Sequence, residues 1–178
     1  MKLVAKIFGG LVALWLVLLL VGLVLPGHYR VVRSAVINAP PATVYAHIGD
    51  LKAWQAWGVW FSRDPAMQLS YSPVTTGIGA WSSWKSKTQG NGKMTITKLA
   101  PPENFEYRME FTDMAMVSLG TMVVAPAPGG SSQVTMGMEG DLGHSPVNRW
   151  FGLFMDKLVG PDFDAGLANL KRLSESAR

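Results

Sequence analysis

Residues 105–111 read FEYRMEF, a segment in which apolar and charged side chains alternate at every position. Side chains two positions apart lie on the same face of a β-strand, so the segment predicts a strand with one buried and one solvated face. That pattern is typical of an antiparallel sheet that covers a core on one side.

Other segments with β-type composition and turn residues between them lie on both sides of this strand. The turn at residues 89–92 (QGNG) predicts a hairpin, because Asn and Gly tolerate positive φ. A second turn is expected at residues 126–130 (PAPGG). We expect further strands at residues 29–38, 67–71, 80–87, 93–99, 115–124 and 133–139.

Helical patterns stand apart from the strands. Residues 42–48 and 51–57 predict two short helices, with Asp50 placed to cap the second. From Phe151 onward, apolar residues recur at helical spacing to the C-terminus, and Pro161 predicts a kink or a break because it lacks a backbone donor. The order of elements indicates the α+β class, in which one long C-terminal helix covers a curved antiparallel sheet of about seven strands.

The segment Ile7–Leu25 is apolar and uncharged over 19 residues. As a helix it would reach about 28 Å, close to the hydrocarbon thickness of a bilayer. We expect residues 1–28 to form a transmembrane anchor and residues 29–178 to form one domain. A cleaved signal peptide is the competing interpretation, although Leu25 and Gly27 make a poor cleavage site. A buried helix of a soluble protein is the third interpretation.

Basic residues flank the apolar segment on both sides, with Lys2 and Lys6 before it and Arg30 and Arg33 after it. The positive-inside rule therefore favours neither orientation. A short basic tail before a long apolar segment is typical of a signal anchor. We expect a single-pass membrane protein with its main domain outside the cytoplasm, in the periplasm if the source is a Gram-negative bacterium.

Composition excludes several function classes. The net charge is +4, of which Lys2 and Lys6 contribute two, and no basic run follows the anchor, so nucleic-acid binding is not expected. The chain has no cysteine, which excludes disulfides, thiolate zinc sites and cysteine nucleophiles. We expect no cofactor.

Titratable residues give no clear catalytic or metal-binding pattern. The three histidines, His28, His47 and His144, lack metal-ligand spacing. Glu139 and Asp141 precede the terminal helix, where a loop or capping role is favoured over an acid–base pair. No catalytic residue is assigned.

Methionines recur at two-residue spacing on the predicted strands, which places them on one surface of the sheet. Three interpretations remain open: ordinary core packing, an adaptable apolar pocket, and a thioether copper(I) site. The residues concerned are Met109, Met114, Met116, Met122, Met136 and Met138.

Several segments in combination resemble the START-like, or SRPBCC, superfamily of helix-grip proteins. The first strand and helix are represented by residues 34–41 (SAVINAPP) with Val44 and Tyr45, and the second helix by residues 51–57 (LKAWQAW). Residues 77–80 (GIGA) and 84–87 (WKSK) resemble the third strand, and residues 160–170 (GPDFDAGLANL) the terminal helix. The likeness covers about residues 30–175 and is strongest to bacterial members labelled polyketide cyclase/dehydrase.

This resemblance implies a hydrophobic cavity between the sheet and the terminal helix, used for lipids, polyketides, sterols or other apolar ligands. It implies no reaction, because one fold serves many functions. We therefore expect a membrane-anchored binding protein for a hydrophobic small molecule or lipid. A polyketide cyclase/dehydrase-like enzyme and a ligand-free envelope interaction module are the alternatives. The candidate wall residues are Trp57, Trp60, Trp84, Met109, Met116, Met122, Met136, Phe154 and Leu158.

Overall fold

The computed structural model describes residues 2–113 and 116–176. The strands are β1 (His28–Ile37), β2 (Gln68–Tyr71), β3 (Trp81–Lys85), β4 (Asn91–Ala100), β5 (Asn104–Phe111), β6 (Met116–Ala127) and β7 (Ser131–Asp141). The helices are α1 (Lys2–Val24), α2 (Pro41–Ile48), α3 (Val59–Arg63), α4 (Pro146–Gly152) and α5 (Met155–Ser176). Short 3-10 turns occupy Ala53–Ala56 and Pro128–Gly130.

The seven strands form one antiparallel sheet in the order β1-β7-β6-β5-β4-β3-β2. The α+β class and the number of strands are confirmed, and each predicted strand matches an observed one to within a few residues at its ends. The predicted strand at residues 115–124 begins at Met116. Met114, which we expected on the methionine face, lies outside the described residues.

Three glycines on the inner face of the sheet let aromatic rings from the neighbouring strands lie against the backbone. Gly92 is opposite Trp84, Gly120 opposite Tyr107, and Gly140 opposite Tyr29. A Cβ at any of these glycines would collide with the facing ring. Glycine at these positions therefore sets where three large side chains lie on the concave surface.

The long helix α5 packs chiefly against β1, at one edge of the sheet. Arg33 on β1 fastens it there: the two terminal nitrogens donate to Asp156 at 2.8 and 3.0 Å, and Nε donates to Asp164 at 3.2 Å. Gly160 leaves room for the guanidinium group, since a Cβ there would meet it.

The helix α5 continues through Pro161, so of the predicted kink or break the break does not occur. The helical chain is interrupted instead at Leu153 and Phe154, between α4 and α5. A proline inside a helix removes one backbone hydrogen bond. Full burial of Phe163 and near-full burial of Leu167 hold the following turns against the sheet and offset that loss.

The short helices after β1 differ from the prediction. Residues 51–57 contain only a 3-10 turn, and the second short α-helix is α3, further along the chain. Asp50 accepts the backbone N–H of Lys52 at 2.9 Å and forms a β-bridge with Thr76. It therefore stabilises a turn and does not cap a helix.

The N-terminal helix α1 is long and apolar enough to span a membrane by its length and composition. Its most apolar window is only 6% buried, which distinguishes it from a core helix. It packs against α4, and through α4 it lies next to the sheet domain.

Candidate functional site

A cavity of about 510 Å³ lies between the concave face of the sheet and the first turns of α5. The sheet contributes Leu69, Tyr71, Ser82, Trp84, Met94, Met109, Phe111, Met116 and Met138. The opposite wall and the rim consist of Trp54, Trp60, Phe61, Met67, Thr88, Gln89, Phe151, Met155, Leu158, Val159 and Asp162.

The position of α5 explains why this part of the fold is hollow. Because α5 packs chiefly on β1, its first turns do not fill the space above β3, β4 and β5. The short helix α3 closes that side through Trp60 and Phe61. The result is a gap between one layer of strands and one helix, bounded by large side chains.

Methionine is the commonest residue of the wall. Of the eight methionines within residues 2–113 and 116–176, six border the cavity. Thioether side chains are unbranched and polarizable, and they can repack around ligands of different shape. The wall therefore suits an apolar ligand without imposing one rigid outline. The methionines concerned are Met67, Met94, Met109, Met116, Met138 and Met155.

Among the described lining residues one carboxylate reaches the cavity, and it already has hydrogen-bond partners. Asp162 accepts hydrogen bonds from Trp60 Nε1 at 3.1 Å and from Arg63 Nη1 at 2.9 Å, and it also pairs with Arg63 Nη2. Its side chain is 14% exposed. These contacts fix the Trp60 indole at the rim. They also satisfy the Asp162 carboxylate with hydrogen bonds from the protein itself.

Two tyrosines lie close to each other in the core. Burial raises the pKa of Tyr107 well above its usual value, and its hydroxyl has no hydrogen-bond partner within residues 2–113 and 116–176. Burial also raises the pKa of Tyr29, whose hydroxyl shares a 2.6 Å hydrogen bond with Ser118. Both phenols are therefore neutral at physiological pH and bring no charge into the interior.

Five of the nine candidate wall residues line the cavity, coming from α3, three strands and α5. They are Trp60, Trp84, Met109, Met116 and Leu158. Strand parity brings Met109 and Met116 together, because both lie on the inner face of adjacent strands. Helical periodicity places Leu158 one turn after the start of α5.

The other four candidates lie elsewhere. Met122 and Met136 are fully buried, toward the other end of the strands, and belong to the filled core. Trp57 donates to the His47 carbonyl at 3.0 Å and packs near Gly166 of α5, so it joins helices. Phe154 is 52% exposed, between α4 and α5, and is not part of the cavity wall.

Several wall residues were not among the candidates predicted from the sequence. Leu69 and Met94 share inner-face parity with the candidates, so the strand pattern could have found them once pairing was known. Asp162 and Arg63 carry no such signal. They lie 99 residues apart in sequence, and their contact depends on how α3 meets α5.

The remaining titratable candidates do not form a site. Within the part of the chain that the structure describes, no group of three or more His, Cys, Asp or Glu residues is placed to hold a metal ion. Asp141 accepts the backbone N–H of Gly143 at 2.7 Å, which is a loop role. Burial lowers the pKa of His47, whose backbone carbonyl serves Trp57.

The family described as polyketide cyclase/dehydrase and lipid transport matches residues 28–175. No curated protein matches the chain.

Solved structures share the fold. A protein from Thermobifida fusca is similar with a TM-score of 0.64 at 19% identity, covering 82% of this chain and 92% of that one. Truncated norcoclaurine synthase from Thalictrum flavum gives 0.62 at 12% identity, with coverage of 82% and 92%. A protein from Mesorhizobium loti gives 0.60 at 14% identity, with coverage of 84% and 98%. At these identities the likeness concerns the fold alone.

Proposed function

Because the chain belongs to the polyketide cyclase/dehydrase and lipid transport family, we propose that it binds a hydrophobic small molecule or lipid in the cavity under α5. In this proposal residues 29–178 form the binding domain and residues 1–28 hold it at a membrane. The domain lies outside the cytoplasm, in the periplasm if the source is a Gram-negative bacterium.

The observation that carries the proposal is the cavity itself. Its volume of about 510 Å³ falls within the range of about 300–1,000 Å³ that is usual for small-molecule sites. Aliphatic, aromatic and thioether side chains make up most of its wall. Apolar surface that moves from water into such a site gains about 25 cal/mol per Å² before ordering costs.

The polar groups of the wall favour binding over catalysis. A cyclase or dehydrase needs a titratable group that faces the substrate and has a suitable pKa. Asp162 is the one carboxylate in the described part of the wall, and Arg63 and Trp60 occupy it. An interaction module without a ligand would be better served by a filled core than by a hollow one.

The membrane part of the proposal rests on α1. Its 23 residues have an uncharged apolar stretch, and most of its side chains are exposed along the whole length. Exposure of that much apolar surface to water is costly, so a lipid environment accounts for the helix. A C-terminal reporter that is active only outside the cytoplasm tests this orientation. A silent reporter would show that the domain has the opposite orientation.

The binding experiment uses the full chain in phosphatidylcholine nanodiscs and a fluorescent fatty acid as the probe. Met116→Glu places a carboxylate in the cavity wall, where it loses hydration, and we expect at least a tenfold loss of affinity. Leu119→Glu is the matched control, because Leu119 is on the same strand and 49% exposed on the outer face. Equal uptake by the wild type and both variants would contradict the proposal.

A further inference from the structure

The short helix α4 contacts both the apolar helix α1 and the cavity. On one side it packs against the last turns of α1. On the other side, Phe151 belongs to α4 and lines the cavity. The cavity and the N-terminal helix are therefore separated by only one helix of seven residues.

The contact between α1 and α4 is close and specific. Arg149 Nη1 donates to the carbonyls of Leu23 at 2.6 Å and Leu25 at 3.3 Å, at the C-terminal end of α1, where a cation is favoured. Pro146 packs so tightly on Gly22 that a Cβ there would come within 2.7 Å of it. The lack of a side chain at Gly22 permits this approach, as at many helix contacts in membranes.

Trp150 extends the contact deeper along α1. Its Nε1 donates to the carbonyl of Leu18 at 2.8 Å. Leu18 precedes the end of α1 at Val24 by six residues, or about 9 Å along a helix. If α1 spans a bilayer, α4 lies beside its last turns at the depth where Trp is favoured, with Arg149 nearer the water.

An apolar ridge continues from this contact on the outer surface of α4 and the start of α5. We define the ridge by five residues whose exposed fractions lie between 44 and 65%. Two of them, Phe151 and Leu158, also line the cavity. The ridge consists of Val147, Phe151, Leu153, Phe154 and Leu158.

We propose that this ridge is embedded in the leaflet next to the domain, and that the cavity exchanges its ligand directly with lipid of that leaflet between Phe151 and Leu158. The inference deepens the proposed function and rests on it. The bilayer is the partner that fits this ridge, because the ridge is continuous with α1. Arg149 and Trp150 connect the ridge to the last turns of that helix.

The location of the cavity agrees with this arrangement. It lies at the end of the sheet where β1 begins, close to the end of α1, as Met138 and Met116 show. The opposite end of the sheet, at Ile37, is filled. A ligand that leaves between Phe151 and Leu158 enters an apolar phase and avoids passage through water.

Site-directed spin labelling measures the depth of the ridge. Since the chain has no cysteine, Leu153→Cys gives one labelling site on the ridge in the otherwise native full chain. Val36→Cys is the matched control: it is 50% exposed and eight residues along β1 from His28, or about 26 Å away. Both variants are labelled with a nitroxide in phosphatidylcholine/phosphatidylglycerol nanodiscs.

We expect the label at residue 153 to be accessible to oxygen and protected from a water-soluble nickel chelate, and the label at 36 to show the opposite. Equal exposure of both labels to the chelate would overturn the inference. Protection from both reagents, together with spin–spin broadening, would identify a second copy of the chain on the ridge and would also overturn it.

A kinetic experiment separates this inference from the proposed function. Leu153→Glu puts a charge on the ridge without touching the cavity wall, and Val36→Glu is its control. We expect Leu153→Glu to slow delivery of a vesicle-borne fluorescent phospholipid about tenfold, since a charge in the leaflet is costly, while equilibrium uptake of the fatty acid stays unchanged.

Unchanged delivery by Leu153→Glu, with normal fatty-acid uptake, would overturn the leaflet route and leave the proposed function standing. If the wild type itself does not bind the fatty acid, the proposed function is overturned instead.

Discussion

The two ends of the concave face have similar residues and different packing. From the middle of the strands toward the Ile37 end, where α2 contacts β6 and β7, Met122 and Met136 are fully buried in the core. At the end near His28, Met109 and Met116 face a cavity beneath the first turns of α5. Residue type therefore does not decide which methionine packs a core and which lines a pocket.

The covering elements make the difference. At the filled end, the Trp57 indole packs near Gly166 under α5. Trp54 lies 4.6 Å from it between ring centroids and is anchored by a 2.8 Å hydrogen bond to the Ile48 carbonyl, and it separates the filled core from the cavity, which it also lines. Beside this core, Arg33 holds the first turns of α5 at the β1 edge of the sheet, and the Trp54, Trp60 and Trp84 indoles border the open space without filling it. A binding cavity results where the helix is supported at the sheet edge alone.

Stability should distinguish the filled end of the sheet from the hollow end. Met136→Ala leaves a void in a filled core and should cost about 3 kcal/mol of unfolding free energy. Met109→Ala only enlarges an existing cavity and should cost about 1 kcal/mol or less. Urea unfolding of the full chain in detergent micelles, followed by tryptophan fluorescence, measures both; equal costs would mean that the two ends are packed alike.

Two buried tyrosines should differ in what their hydroxyl groups contribute to stability. Tyr29→Phe removes the 2.6 Å hydrogen bond and leaves the buried Ser118 hydroxyl without it, so we expect a loss of about 1–2 kcal/mol. Tyr107→Phe removes a hydroxyl that has no partner among the described residues, so stability should stay equal or rise slightly. A larger loss in Tyr107→Phe than in Tyr29→Phe, under the same urea assay, would contradict this assignment.

Ionisation of Tyr107 should make the stability of the folded chain fall at alkaline pH. The pKa of Tyr107 is raised by burial in the folded state, so the unfolded chain releases this proton first. Its contribution is therefore constant below about pH 10 and is lost as the pH rises toward the folded-state value. Between pH 9.5 and 11 the wild type should lose about 1 kcal/mol more than Tyr107→Phe. Parallel profiles of the two proteins would show that Tyr107 ionises as easily when folded.

The sequence predicted most of the fold because strand alternation, turn residues and helical spacing are local signals. The alternation at residues 105–111 and the spacing after Phe151 both correspond to observed elements. No break occurs at Pro161, because the local cost of the proline is outweighed by long-range packing of Phe163 and by the Arg33 contacts. Local patterns carry no information about that balance.

The cavity was harder to predict than the sheet. Parity correctly grouped the inner-face methionines, and it could not separate Met116 from Met136, because the lateral position of α5 decides between them. The pairing of Gly120 with Tyr107 depends on strand register, which the sequence alone did not specify. The partners of Asp162 come from a distant helix, and no spacing rule connects them.

The proposed function requires that the hollow end of the fold holds a ligand. Extraction of the purified full chain with organic solvent, followed by identification of bound molecules by mass spectrometry, tests that claim. We expect close to one equivalent of an apolar ligand from the wild type and from Leu119→Glu, and almost none from Met116→Glu. The same amount of ligand from all three proteins, or no ligand from the wild type, would contradict the claim.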